Sequence, residues 1–142
     1  MAITTGTGVA QWSFAIKQGS DLDISMTWLD DNGAPMNLTG FVMSLSIRAF
    51  QSSPIALLTL TSSSITGSRI VLGGETGVIG LVFTHADTAG LVPSSLPAQM
   101  TPLASGIRSS MLGVYDLKYT DPNGNSGYLM EGTVTLHPQV TV

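Results

Sequence analysis

The chain has 142 residues, no cysteine, and nine acidic against five basic residues, a formal net charge of −4 with both histidines neutral. The absence of cysteine excludes disulfides, thiolate metal centres and cysteine nucleophiles. The length fits one domain that buries roughly two-thirds of its unfolded surface, and the acidic balance denies it the basic footprint of a nucleic-acid binder.

Met1-Ala2-Ile3-Thr4-Thr5-Gly6-Thr7-Gly8 has no basic start and no apolar stretch, so no secretory signal is expected there. Residues 1–11 carry no charge and no clean period. They are expected to form an N-terminal arm, mobile in the isolated chain, that orders against a neighbouring subunit; residues 12–142 then form a single domain. From there the dominant period is two, the period of strands. Leu22, Ile24, Met26 and Trp28 alternate with Asp21, Asp23, Ser25 and Thr27, which predicts one buried and one wet face. Asp30-Asp31-Asn32-Gly33 reads as a turn with Gly33 at positive φ. Met43, Leu45, Ile47 and Ala49 form the next apolar face, and Ile55–Thr61 is a β-rich run with no clear inward side. Ile70 and Leu72 mark a short strand, Gly73–Gly77 a turn, and Ile79, Leu81 and Phe83 a further strand.

Thr84-His85-Ala86-Asp87 has capping-box spacing and predicts one or two helical turns closed by Gly90. Residues 92–113, punctuated by Pro93, Pro97 and Pro102, are expected to be a long inserted loop. Tyr115, Leu117 and Tyr119 resume the alternation. Asp121-Pro122-Asn123-Gly124 predicts a hairpin turn, and the strand over Tyr128–His137 points Val134 and Leu136 inward with Gly132 at a bulge. These elements predict an all-β chain. The architecture expected is an antiparallel, immunoglobulin-like β-sandwich of about seven or eight strands with at most one short helix near 85–90.

The chemistry-bearing residues are few. Ser is plentiful, but no G-x-S-x-G elbow is present. His85 falls in the capping segment and His137 at a strand end, so both are expected to be structural. Asp30–Gly33 lacks the alternating oxygen ligands of a calcium loop, and no metal is expected. Asp21 and Asp23 share a strand face, but no aromatic platform adjoins them to make a glycosidase cleft. Gly73–Gly77 lacks the Lys and the following helix of a phosphate loop, so no nucleotide cofactor is expected. Asn37-Leu38-Thr39 is a formal glycosylation sequon expected to be chance. Of the aromatics, Trp28, Tyr115 and Tyr119 lie on core-period faces, while Trp12 and Tyr128 remain open as stacking residues for a glycan. No apolar run approaches the roughly 18 residues of a membrane helix.

Charged residues make up only 10% of the chain, against about 25% in a typical domain, and mean hydropathy is +0.33. A surface rich in Thr, Ser and Gly desolvates readily and suits coverage by neighbouring proteins. The 92–113 segment contains one charge, Arg108, and several apolar residues. It is expected to dock against another subunit through Leu96, Met100 and Leu103, with Arg108 its charged contact.

Several pieces recur in a fixed order. They are Trp28, Gly33-Ala34-Pro35-Met36-Asn37-Leu38-Thr39-Gly40, Arg48, Gly77-Val78-Ile79-Gly80-Leu81, Thr84 with Thr88-Ala89, Tyr115-Asp116-Leu117, Asp121–Gly124, Gly132–Leu136 and Gln139-Val140-Thr141. From about Phe14 to Thr141 this order resembles a family of small tailed-bacteriophage proteins and the N-terminal domain of phage baseplate upper proteins. The resemblance implies a non-catalytic, structural protein of the virion, in the tail, baseplate or fibre joint, assembled in the bacterial host cytoplasm. Its implied partners are other virion proteins and copies of itself, with no nucleic acid or membrane. A capsid decoration protein and a carbohydrate-binding module for host glycans are the alternative expectations.

Overall fold

The structure, a computed structural model, describes residues 2–4, 8–92, 101–102 and 108–141, with backbone alone at 101–102 and 108–110. The alternating segments form two sheets. The smaller places β1 (Ala2–Thr4), β4 (Leu22–Leu29), β8 (Val78–Phe83) and β7 (Arg69–Leu72) side by side in the order β1-β4-β8-β7. The larger runs β2-β11-β10-β5-β6 through β2 (Ala10–Gln11), β11 (Ser126–His137), β10 (Arg108–Thr120), β5 (Val42–Arg48) and β6 (Ala56–Thr61). In it, β3 (Phe14–Lys17) also lies on β11, and β9 (Thr101–Pro102) pairs with β10. This is the expected all-β, immunoglobulin-like arrangement, with one extra edge strand beside the three central strands of the larger sheet.

The inward positions are those the alternation names. Met26 and Trp28 of β4, Ile79, Leu81 and Phe83 of β8, Met43, Leu45 and Ile47 of β5, Tyr115 and Leu117 of β10, and Val134 and Leu136 of β11 are all buried. Leu60 and Ile70 give β6 and β7 their inward faces. Two aromatic groups sit in this core. Phe14 packs against Trp12, Phe83 and Tyr115 at centroid distances of 5.5, 5.8 and 5.0 Å, and Trp28 packs against Phe41 and Tyr119 at 5.7 and 5.0 Å. The turns at Asp30–Gly33 and Asp121–Gly124 form as expected. Asp30 Oδ1 accepts from the Asn32 and Ala34 N–H groups, Asp121 Oδ1 accepts from those of Asn123 and Asn125, and Gly33 and Gly124 take positive φ.

Four features depart from the sequence reading. The pairing is mixed: β1 runs parallel to β4, and β2 and β3 run parallel to β11. The segment expected to be an arm therefore belongs, where described, to its own sandwich. Ile3, 3% exposed, sits beside Trp28 in the core. A three-residue strand with one inward side chain carries no readable period, which is why composition alone set it apart. The expected loop over 92–113 is shorter at its C-terminal end, because β10 begins at Arg108 and carries Leu112 inside the core. Finally, the bulges fall at Leu112 and Leu129 rather than at Gly132. Gly132 is instead where the chain between β2 and β3 crosses β11, so closely that a side-chain carbon there would strike the Trp12 carbonyl.

The short helix α1 (His85–Ala89) is present, but its cap is not the local one. Asp21 Oδ1 accepts from the His85 N–H at 2.6 Å and lies 3.0 Å from its ring Nδ1, while the Thr84 hydroxyl donates to Asp87 Oδ2. The buried Thr88 hydroxyl donates to the Ser20 carbonyl at 2.8 Å, and Gln18 Nε2 to the Leu91 carbonyl at 2.7 Å, so the helix is fastened to residues 18–21.

Candidate interaction surface

Of the residues predicted to dock, Leu96, Met100 and Leu103 lie outside the described residues. Arg108 opens β10, its backbone paired with that of Pro102.

Residues of chemical interest form two polar groupings. One is the α1 corner. Asp21 is held below the usual carboxylate range first by the His85 backbone N–H and then by its ring; Asp87 is lowered by Ser68, with Thr84 adding to the effect. His85 and Asp21 are both largely exposed, and no hydroxyl among the described residues bonds to the imidazole. Thr84 and Ser68 turn to Asp87 instead. The corner fastens a helix. His137 lies at the end of β11, paired in register with Lys17.

The other grouping is on the solvent face of the larger sheet. Gln11, Ser46, Arg48, Asp116, Glu131 and Thr133 line a shallow depression of about 460 Å³. Asp116 and Glu131 are cross-strand neighbours, and Ser46 flanks Asp116 on the other side. Desolvation raises the Asp116 carboxyl, and the Glu131 charge adds to this, against Arg48 and Lys118. Gln11 Nε2 donates to Glu131 at 2.6 Å, and Arg48 Nη1 to the Ser53 carbonyl at 2.9 Å. Among the described residues no three His, Cys, Asp or Glu side chains gather as a metal site. The aromatic platform of a glycan site is dispersed: Trp28 and Tyr115 are buried, Trp12 stacks on Phe14, and Tyr128 is exposed on β11.

A third surface, which sequence reasoning missed, carries three exposed large apolar side chains among hydroxyl and amide residues. β6 and β7, the last strands of the two sheets on one side, lie against each other. Between Arg48 and Arg69 the chain has no charged residue and no histidine. Along this run Phe50, Ile55 and Ile65 are 57%, 70% and 89% exposed. The signal was legible as a charge gap over residues 49–68 enclosing a β-rich run. The period-two reading passes over it because most of these residues lie in turns.

No family description and no curated protein matches the chain. Similar solved structures include a chicken TCR, 9% identical, with the alignment covering 98% of this chain and 57% of that chain at a TM-score of 0.45. Another is the N-terminal domain of phage TP901-1 ORF48, 13% identical, covering 96% of this chain and 92% of that one at a TM-score of 0.39.

Proposed function

We propose that this chain is a non-catalytic structural component of a tailed-bacteriophage virion, in the tail, baseplate or fibre joint, that works by protein–protein contact. The observation that carries the reading is the run of residues 49–68, which has no charged residue of its own and along which Phe50, Ile55 and Ile65 are exposed. Large apolar side chains left exposed along an uncharged run suit contact with another protein. The order of motifs from Phe14 to Thr141, which resembles small tailed-phage proteins, supplies the virion. The polar groupings support the same reading, since each is engaged in holding turns, strands or α1 in place.

Mass spectrometry of gradient-purified particles of the phage that encodes the chain tests this. The chain is expected in the particle fraction in fixed ratio to other tail proteins, and it should follow the tails when heads and tails are separated. Presence on heads alone would make it a capsid decoration protein, and absence from particles would overturn the virion role.

A further inference from the structure

We propose that Asn32 and Asn123 are sites of spontaneous deamidation, and that the fold makes Asn32 the first to react. The inference concerns covalent change in two turns and stands apart from the virion reading.

Asparagine is a thermally labile residue. The chain has four, at positions 32, 37, 123 and 125, and two of them precede glycine. The reaction begins when the backbone nitrogen after an asparagine attacks its side-chain Cγ. That nitrogen gives its proton to solvent base and the N–Cγ bond forms. The Cγ–Nδ2 bond breaks, and the amide nitrogen takes up a proton and leaves as ammonia. Water then opens the cyclic imide. Opening at Cγ leaves aspartate; opening at the main-chain carbonyl leaves isoaspartate, with the backbone rerouted through Cγ. Nothing is oxidised or reduced, and each event adds one negative charge. A following glycine favours the first step, because no side chain shields its nitrogen or restricts its backbone.

Asn32 and Asn123 meet these demands. Both are exposed, Gly33 and Gly124 follow them, and neither side-chain amide bonds to a described residue. The other two asparagines do not. Asn37 Oδ1 accepts from the Thr39 N–H at 3.0 Å, and the buried Leu38 follows it. Asn125 Nδ2 donates to Asp121 Oδ2 at 3.3 Å, and Ser126 follows it.

The two Asn-Gly turns are built alike. In each, an aspartate carbonyl, that of Asp30 or Asp121, accepts from the glycine N–H at 3.0 Å. The attacking nitrogen is therefore engaged, and the folded chain reacts only when the turn opens. What differs is how firmly each turn is closed. The 30–34 turn closes on an isolated bridge between Leu29 and Pro35. The 121–125 turn joins β10 to β11, whose pairing starts at once with Thr120 and Ser126 and continues along both strands. Pro122 fixes its own φ there, and its ring lies so close over Gly40 that a side-chain carbon on Gly40 would sit 3.0 Å from it. The Asn125 amide adds its bond to Asp121. Asn32 thus has the turn that opens more readily. The new charge falls beside Asp30 and Asp31, in a stretch from 18 to 47 with no basic residue, so repulsion loosens that turn further.

Peptide mapping of the full chain, held for weeks in warm, mildly alkaline buffer, tests the proposal. Cleavage after Lys and Arg puts Asn32 and Asn37 on the peptide Gln18–Arg48 and Asn123 and Asn125 on Tyr119–Val142, and fragmentation assigns the site. A parallel sample in guanidinium chloride gives the rates that local sequence alone sets. Both Asn-Gly sites should convert more slowly in the folded chain. The ratio of Asn32 to Asn123 product should be several times larger folded than unfolded, with isoaspartate among the products. Pro122→Ala should raise conversion at Asn123 toward that at Asn32; its thermal transition checks the fold, and the wild-type ratio decides if the variant does not fold. A ratio unchanged by folding, or shifted toward Asn123, would overturn the order. Conversion that begins at Asn37 or Asn125, or a folded chain left intact after the unfolded one has converted, would overturn both sites.

Discussion

The two long sides of the sandwich are closed by different means. On one side the first seventeen residues lay β1 along β4 and β2 and β3 along β11, so both sheets end in strands supplied by the same short stretch of chain. That side is fastened by specific polar contacts. The Ser13 hydroxyl bonds Thr133 through both its N–H and its hydroxyl, Lys17 Nζ donates to the Pro138 carbonyl at 2.7 Å, and Tyr115 donates its hydroxyl to the Trp12 carbonyl. Burial keeps that Tyr115 hydroxyl protonated far above its ordinary range. On the other side β6 and β7 end their sheets with no further strand among the described residues; the run from 49 to 68 has no charged residue of its own, its turns are held by Arg48 on the Ser53 carbonyl and Arg69 on the Gly67 carbonyl, and Phe50, Ile55 and Ile65 are exposed. A chain folded this way closes one flank with extra strands and the other with turns.

Substitutions that strike the two sides should therefore separate stability from assembly. The largest loss is expected from Trp28→Ala, beneath the covered side, at about 3–5 kcal/mol, because the ring is buried against Phe41 and Tyr119. A denaturant melt that moves by under about 1 kcal/mol would remove Trp28 from the core. Ile3→Ala should follow at about 2–4 kcal/mol in the same melt, since its side chain fills space beside Trp28. An unchanged midpoint there would return the first residues to the status of an arm.

Acid should loosen the α1 corner next. Asp21 and Asp87 have pKa values lowered from 3.8 on folding, so the stability they add is present above that value and is lost as pH falls below it. Asp116 is shifted the other way. It favours its protonated form in the fold, and its contribution declines as pH rises through its raised value. Thermal melts of Asp21→Asn should be flatter than wild type below about pH 4, and a parallel pair of curves would dismiss the Asp21 cap. Gly80→Ala should raise stability by about 0.4–1 kcal/mol, because a side-chain carbon there meets Val71 only at ordinary contact distances, 3.5 and 3.7 Å. The smallest effect belongs to the open side. Ile65→Ser should leave the stability of the chain within about 0.5 kcal/mol. A large drop in the melt would mean that Ile65 is part of the core and not of a docking surface.

How much of this the sequence disclosed depends on the length of each pattern. β4 and β8 show four and three alternating apolar residues, and both their faces were readable. The register of β10 on β11 was not, because the bulges at Leu112 and Leu129 set Leu112 beside Gly113 and Leu129 beside Met130 on the inside, consecutive positions that period two cannot produce. The Thr84–Asp87 spacing located α1 but not its cap, which comes from Asp21 across the fold. The open side was hidden for a different reason. Its evidence is what is missing from residues 49–68, and periodicity measures only what recurs.

The order in which the strands can come together also follows from the covered side. Ser13 and Thr133 are 120 positions apart, and among the described residues β3 pairs with β11. During synthesis at about 5–20 residues per second, β2 and β3 wait roughly 6–24 s for that partner to be made. Throughout that interval β2 and β3 are unpaired, the edge of β10 joins them once it is made, and pairings of such long separation form slowly even when both strands are present. The period of greatest exposure to wrong partners therefore precedes the completion of the very flank that, in the finished molecule, is best protected.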